Sequence, residues 1–313
     1  MTPEELEATP HYSFVPVGER AIAAIARFGG RSICNSGVVD LGEGALVFDT
    51  GMTPGSALDL ETLAVRVCGA PPTLAANSHW HMDHVLGNQT FGKLPIWGTR
   101  RTREILLERR EELSVELTKE KLEADLHDLE RRRESTVSSG AQRDLEFWIQ
   151  IQRAVLSAVD ELRLTPPTHT FETHLVLPGA RKAVLRSFGA GHTEADALLV
   201  LPEEKLVFAG DLVLVGMQPS MGSGDPRHWL TVLDEIERLG PERIVPGHGP
   251  VTDAKGISET RAYLTGVLEA AEAPEGRPLP SSIARWEGTL SLDENLKFAR
   301  RWLSSQEGSG TTA

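Results

Sequence analysis

The stretch Asn77-Ser78-His79-Trp80-His81-Met82-Asp83-His84 decides how the rest of the chain is read. Three histidines and an aspartate fall within six residues, directly after a short apolar run. Neutral imidazole and carboxylate are the donors that borderline divalent ions such as Zn²⁺ take. In an extended segment alternate side chains face the same way, so His79 and His81 suit one ion. A turn after them can deliver Asp83 and His84 to a second.

Three further places share one local design. Phe188-Gly189-Ala190-Gly191-His192-Thr193, Val207-Phe208-Ala209-Gly210-Asp211 and Ile244-Val245-Pro246-Gly247-His248-Gly249 each run from an apolar strand through glycine to one ligand-type side chain. Strand ends that present ligands to a common edge make the kind of site α/β sheets hold at their carboxyl ends. Singly, His192 or His248 reads as an ordinary turn histidine; together with the cluster they read as a site.

The surrounding pattern predicts strands over Tyr12–Val17, Ala21–Phe28, Ile33–Asp40 and Ala45–Asp49, a helix over Thr53–Cys68 and a strand over Thr73–Asn77. After Pro166-Pro167, strands return at Phe171–Leu177, Lys182–Phe188, Ala197–Leu201, Leu206–Ala209 and Arg243–Val245. Helices are expected over Pro226–Leu239, Ser258–Ala271 and Leu292–Leu303. Between the two strand runs, about residues 100–165, the chain is dense in Arg, Glu, Lys and Leu. A stripe of Val115, Leu122, Leu126 and Leu129, continued by Phe147, Trp148, Ile151, Val155 and Val159 after a break at Ser138-Ser139-Gly140, predicts two or more amphipathic helices. Such an insertion serves as padding, as a lid or as a homodimer surface. The expected organisation is one domain over 1–275 and a C-terminal helical extension over 276–313, its polar end Gln306–Ala313 without structure.

Composition bounds the function. The 313 residues suffice for a substantial core, and 40% hydrophobic with 25% charged residues is ordinary for a globular protein. A net charge of −13 argues against a protein that coats phosphate backbones, so no nucleic-acid partner is expected. Two cysteines, Cys34 and Cys68, exclude a disulfide framework and a Cys-built zinc site. The start, Met1 to Val17, has no cationic and apolar leader, and no run approaches the ~20 apolar residues of a membrane helix. A cytoplasmic protein acting on a small-molecule substrate, with no membrane partner, is the expectation.

At the ligand-type residues the sequence resembles the metallo-β-lactamase superfamily. Its hallmark, His-x-His-x-Asp-His followed by a distant His, Asp and His, is matched by His79, His81, Asp83, His84, His192, Asp211 and His248. The resemblance covers about residues 20–265, interrupted by the insertion. It implies an α/β fold, the αββα sandwich of two βα halves with metals in a cleft at one edge. It implies that His79, His81 and His192 hold one divalent ion, that Asp83, His84 and His248 hold a second, and that Asp211 bridges them. Zn²⁺ is favoured, with Mn²⁺ and Fe²⁺ as alternatives. Two dications ~3.5–4 Å apart would lower the pKa of a shared water towards neutrality and polarise a carbonyl or phosphoryl oxygen. Asp83 is the residue placed to orient the bridging hydroxide and carry its proton. Asp49 stands where the family has an Asp supporting the ligand loop from behind; as an Asp-Thr-Gly it equally reads as a strand closing into a turn.

The resemblance also sorts the activities. True β-lactamases of this fold carry Cys or Ser in place of Asp211, which leaves β-lactam hydrolysis at most a minor activity. The lactonases use a tyrosine near the metals, and this chain offers only Tyr12 and Tyr263. Pro166-Pro167-Thr168-His169-Thr170-Phe171 resembles a subgroup that includes polyketide thioesterase-cyclases. The reading is therefore a metal-dependent hydrolase of an ester, thioester or lactone. A phosphodiesterase, an iron-dependent persulfide dioxygenase and a non-catalytic metal-stabilised binding module are the alternatives. His11, His127, His169, His174 and His228 match no ligand position and are expected to be structural. Trp80 and Met82 either line the cleft or pack, and Gly216-Met217-Gln218-Pro219 is a candidate substrate wall.

Overall fold

The computed structural model describes residues 6–27, 29–274 and 276–309. Its first half opens with an antiparallel meander, β1 (Tyr12–Pro16), β2 (Ala21–Ala26), β3 (Ser36–Asp40) and β4 (Ala45–Phe48). Helix α1 (Pro54–Cys68) then crosses over to β5 (Pro72–Ala76), which lies parallel to β4. The helix starts where it does because Thr53 and Ser56 form a reciprocal capping box and Pro54 occupies the first turn. Two parallel strands, β6 (Ile96–Thr99) and β7 (His169–Phe171), complete a seven-stranded sheet.

The second sheet has five strands in the order β12-β11-β10-β9-β8, where β8 is His174–Val176, β9 Val184–Gly189, β10 Asp196–Leu201, β11 Leu206–Leu214 and β12 Arg243–His248. Only β11 and β12 pair in parallel. The predicted strand Phe171–Leu177 is thus two strands in different sheets. One segment cannot pair on both sides of the sandwich, and Glu172-Thr173 is the corner at which it changes sheets.

Period-two alternation explains the layers. Leu46, Phe48, Leu199, Leu201, Leu206 and Phe208 point into the space between the sheets. Their neighbours point outward: Ala45 and Val47 beneath α1, and Leu198, Val200, Val207 and Ala209 beneath the helices of the other face. Those outer helices are α7 (Pro226–Arg238), α8 (Ala254–Glu272) and α10 (Leu290–Ser309), with the short α9 (Ser281–Ala284) between the last two. Helices thus flank a pair of facing sheets, the αββα arrangement expected.

Four helices, α3 (Arg100–Glu108), α4 (Arg110–Glu116), α5 (Lys119–Ser135) and α6 (Ser139–Leu156), fill the inserted stretch. The stripe expected there is broken: Val115 belongs to α4 and is exposed, because Thr118 caps a new helix between it and Leu122. α6 carries Ile151, Ala154 and Val155 onto Met52 and Leu86 of the first half. Helix α10 runs to Ser309, so the tail expected to lack structure is helical from Gln306 that far, continuing a helix docked through Leu292 and Ala299. Residues 310–313 of that expectation, Met1–Glu5 of the reading of the start, and Phe28 lie outside the described residues. Among the described residues no helix is long and apolar enough to cross a membrane.

Candidate metal centre

Strands β5, β11 and β12 and the turn after β9 bring their carboxyl ends to one edge of the sandwich, and all seven predicted ligand residues meet there. His79 follows β5, and the short helix α2 (Met82–Val85) turns the chain so that Asp83 and His84 come back towards His79, whose ring centroid is 4.2 Å from that of His84. His192 follows β9, Asp211 lies within β11, and His248 is the last residue of β12. Donor atoms of His79, His81, His192 and Asp211 lie within 4.8 Å of one another, as do those of His84, Asp211 and His248. Asp211 is common to both sets. Asp83 joins the second, its Oδ2 being 3.3 Å from His84 Nε2 and 3.4 Å from His248 Nε2.

The outer hydrogen bonds determine which ring nitrogens face inward. A backbone carbonyl can only accept, so His192 Nδ1 donates to the Ser220 oxygen at 2.9 Å and His248 Nδ1 to the Ile33 oxygen at 2.8 Å. His84 Nδ1 donates to Asp49 Oδ2 at 2.8 Å. Ser78 Oγ donates to the same carboxylate at 2.8 Å and so accepts from His79 Nδ1 at 2.9 Å. Each of these four rings therefore turns its Nε2 to the centre. His81 presents Nδ1, 2.9 Å from His192 Nε2, with its Nε2 near Ser223 Oγ at 3.3 Å.

Charge and burial agree with that picture. His79 Nε2, His84 Nε2 and Asp211 Oδ1 are buried side-chain atoms without a hydrogen-bond partner among the described residues. Leaving such atoms unpaired costs ~1–3 kcal/mol each, and a cation held between them removes that cost. Burial drives the imidazole pKa of His79 well below its ordinary value and that of His81 to about 3. Burial also opposes charge on His84 and His248, yet the carboxylates of Asp83 and Asp211 outweigh it and hold both upward, His248 at about 10. Burial would raise Asp83 and Asp211, but the surrounding imidazoles keep both well below the usual carboxylate range. The donor set fits divalent metal: His79 and His81 offer neutral nitrogens, and a cation would displace the Nε2 protons that the carboxylates of Asp83 and Asp211 hold on His84 and His248. The Asp83 side chain, 16% exposed, is among the more open members, whereas His79 and His84 are sealed.

Other predicted residues take quieter places. Asp49 sits behind the ligands as expected, accepting from the Ser78 backbone N–H at 2.7 Å as well as from Ser78 Oγ and His84. Trp80 packs against Ile105, Leu106 and Leu113 of the insertion and donates its indole N–H to Glu194, and Met82 packs beside it. Tyr12 is buried against Ser32, and Tyr263 donates to Gln218, so neither tyrosine points to the centre. Sequence reasoning missed the carbonyls of Ile33 and Ser220, because a main-chain acceptor leaves no residue signature. It also missed Asn35, whose Nδ2 donates to the oxygens of Pro246 and Gly249 on either side of the His248 stretch. Cys34 Sγ donates to the Asp83 carbonyl at 2.8 Å, and burial pushes its thiol pKa up, so it braces that loop as a neutral group.

Comparison with known proteins agrees with the geometry. The family model "Metallo-beta-lactamase superfamily" matches residues 29–248. A Caenorhabditis elegans protein described as "Beta-lactamase-like protein 2 homolog" is 37% identical over 79 residues. That match spans 24% of this chain and only 24% of the relative's own length. Among solved structures, the chain is similar to a metallo-beta-lactamase from Pontibacter korlensis, with 18% identity and a TM-score of 0.58 over 82% of this chain and 99% of that one. The FIM-1 metallo-beta-lactamase from Pseudomonas aeruginosa, in a mono-zinc form, gives 15% identity and a TM-score of 0.59 over 84% and 97%. At such identities these likenesses establish the fold.

Proposed function

Because the chain belongs to the metallo-β-lactamase superfamily, most of whose members are metal-dependent hydrolases, we propose that it is a dinuclear metallohydrolase of an ester, thioester or lactone of a small molecule. The observation that carries this reading is Asp211, one carboxylate common to two clusters of inward-facing imidazoles. His79, His81, His192 and Asp211 would hold one ion, and Asp83, His84, His248 and Asp211 the other, Zn²⁺ being the ion such donors favour. When bound, the pair supplies Lewis acidity and a water of lowered pKa.

The chain's own residues do the rest. Asp83 lies at the more open side of the centre, where its carboxylate orients the attacking water and carries the proton towards the leaving group. Asp49 fixes the tautomer of His84 directly and that of His79 through the Ser78 hydroxyl. An acidic protein, with the exposed carboxylate of Glu194 two residues from His192, suits a neutral acyl centre better than a phosphodiester.

Metal removal tests the reading. Chelated protein should lose turnover on a panel of aryl esters, acyl thioesters and lactones, and regain it on addition of about two equivalents of Zn²⁺. Turnover that persists in fully metal-free protein would sink the proposal. Preferential cleavage of bis-p-nitrophenyl phosphate, or oxygen uptake with a persulfide, would replace the substrate class. Bound metal that protects against heat without any turnover would make the centre structural.

A further inference from the structure

We propose that Asn295, on the C-terminal helix α10, is a positioning residue for His192, so that this helix sets the geometry of one metal subsite it never touches. The inference rests on the reading of His192 as a ligand. The backbone between β11 and α7 crosses from Val215 to Asp225 without helix or strand, so the sequence there does not fix its own path. Its Ser220 carbonyl is the group that accepts from His192 Nδ1 and directs Nε2 inward. The two residues flanking Ser220 are both held by one side chain. Asn295 Oδ1 accepts the Met221 N–H at 3.0 Å, and its Nδ2 donates to the Pro219 oxygen at 2.7 Å. A second Nδ2 bond reaches Tyr263 Oη at 2.9 Å, and that hydroxyl donates to Gln218 Oε1 at 3.0 Å. Asn295 is 5% exposed, so water is a poor substitute for these bonds. A planar amide with donor and acceptor spent on residues 219 and 221 fixes the peptide planes around 220, and therefore the direction of the Ser220 carbonyl.

A structural role alone would make Asn295 one more anchor of α10, equivalent to Leu292, which is 1% exposed in the adjoining core. The two roles separate in the metal-free protein by NMR. The His192 Nδ1–H proton should exchange slowly in the wild type, and at least ~10-fold faster in Asn295→Ala, while His248 Nδ1–H, held by Ile33, is unchanged. Leu292→Ala should lower Tm and leave both protons alone. Competition titration with Zn²⁺ should show one of two binding events weakened by ~10–100-fold in Asn295→Ala and neither in Leu292→Ala. Should the alanine variant not fold, Asn295→Asp keeps the volume and the acceptor for Met221 and sets an oxygen against the Pro219 carbonyl; the same changes are expected. Wild-type exchange and wild-type Zn²⁺ affinity in a folded Asn295 variant, or equal effects from Leu292→Ala, overturn the proposal. A wild-type protein that takes up no Zn²⁺ refutes the functional reading instead, and the exchange of His192 still decides the clamp.

Discussion

The two halves of the molecule repeat one unit and use it differently. In the first, the β3–β4 hairpin leads through α1 to β5 and His79; in the second, the β10–β11 hairpin leads through α7 to β12 and His248. Both crossover helices start with a hydroxyl or carboxylate cap followed by proline, Thr53-Pro54 and Asp225-Pro226. Phe48 and Phe208 meet between the sheets from matching strands. In each of these matching segments one residue is left-handed, Asp49 at φ 55° directly after β4 and Gly210 at φ 51° in the middle of β11. There the halves part. In the first half the aspartate itself takes the left-handed turn and its carboxylate lies behind the imidazoles. In the second, glycine takes the turn, and the next residue, Asp211, stays in the strand and faces the cleft. One residue of offset separates a supporting carboxylate from a shared ligand.

The strongest way to break that comparison is to remove each carboxylate. Asp211→Ala should reduce turnover by roughly 10⁴-fold and abolish two-metal binding, because both clusters lose their common member. Asp49→Ala should act through the rings. It strips partners from His84 Nδ1 and from the Ser78 N–H and hydroxyl, at ~1–3 kcal/mol for each group left unpaired, and weakens metal ~10–100-fold without changing its stoichiometry. Asp49→Asn should cost less, since asparagine tolerates the left-handed backbone and retains one acceptor. Denaturant titration and metal analysis of the three proteins read the difference. Equal metal stoichiometry after both alanine changes would mean that the offset carries no functional meaning.

Gly210→Ala sharpens the other side of the comparison. A Cβ at Gly210 would lie 2.6 Å from the Cβ of Ser78, and the left-handed backbone adds ~1–2 kcal/mol. We expect ~2–3 kcal/mol of destabilisation in urea, with a measurable loss of metal affinity as Ser78 is pushed off Asp49. A change below ~0.5 kcal/mol would show that the turn can be built without glycine.

How much of this was legible follows from the same residues. The seven ligand-type residues were readable because each follows an apolar strand run, and because imidazole and carboxylate in such density have few uses besides metal. The alternating layers were readable from Ala45–Phe48 and Leu206–Ala209, whose period-two pattern names both faces. The sheet change at Glu172-Thr173 was not, since the stretch Phe171–Leu177 reads alike whichever partner it pairs with. Nor was the Asn295 clamp, which lies over 70 residues from the loop it holds and shows itself only when α10 docks.

The smallest effect concerns a further difference between the halves. Within the first-half ligand loop, Trp80 and Met82 alternate with the metal-type residues and bind the inserted helices, whereas the second-half ligands stand singly. Arg109, at the junction of α3 and α4, lies over the Trp80 ring at 4.6 Å, and the indole N–H reaches Glu194 Oε2 at 2.9 Å. Trp80→Phe keeps most of the buried area but loses the hydrogen bond, worth ~0.5–1.5 kcal/mol, and weakens a part-exposed stacking contact worth ~0.5–1 kcal/mol. The expected result is a loss of ~1–2 kcal/mol with metal stoichiometry intact, because the backbone of β5 and the Ser78–Asp49 bonds still place His79 and its neighbours. Loss of a metal equivalent in Trp80→Phe would show instead that the insertion, and not the strand behind it, holds this loop in shape.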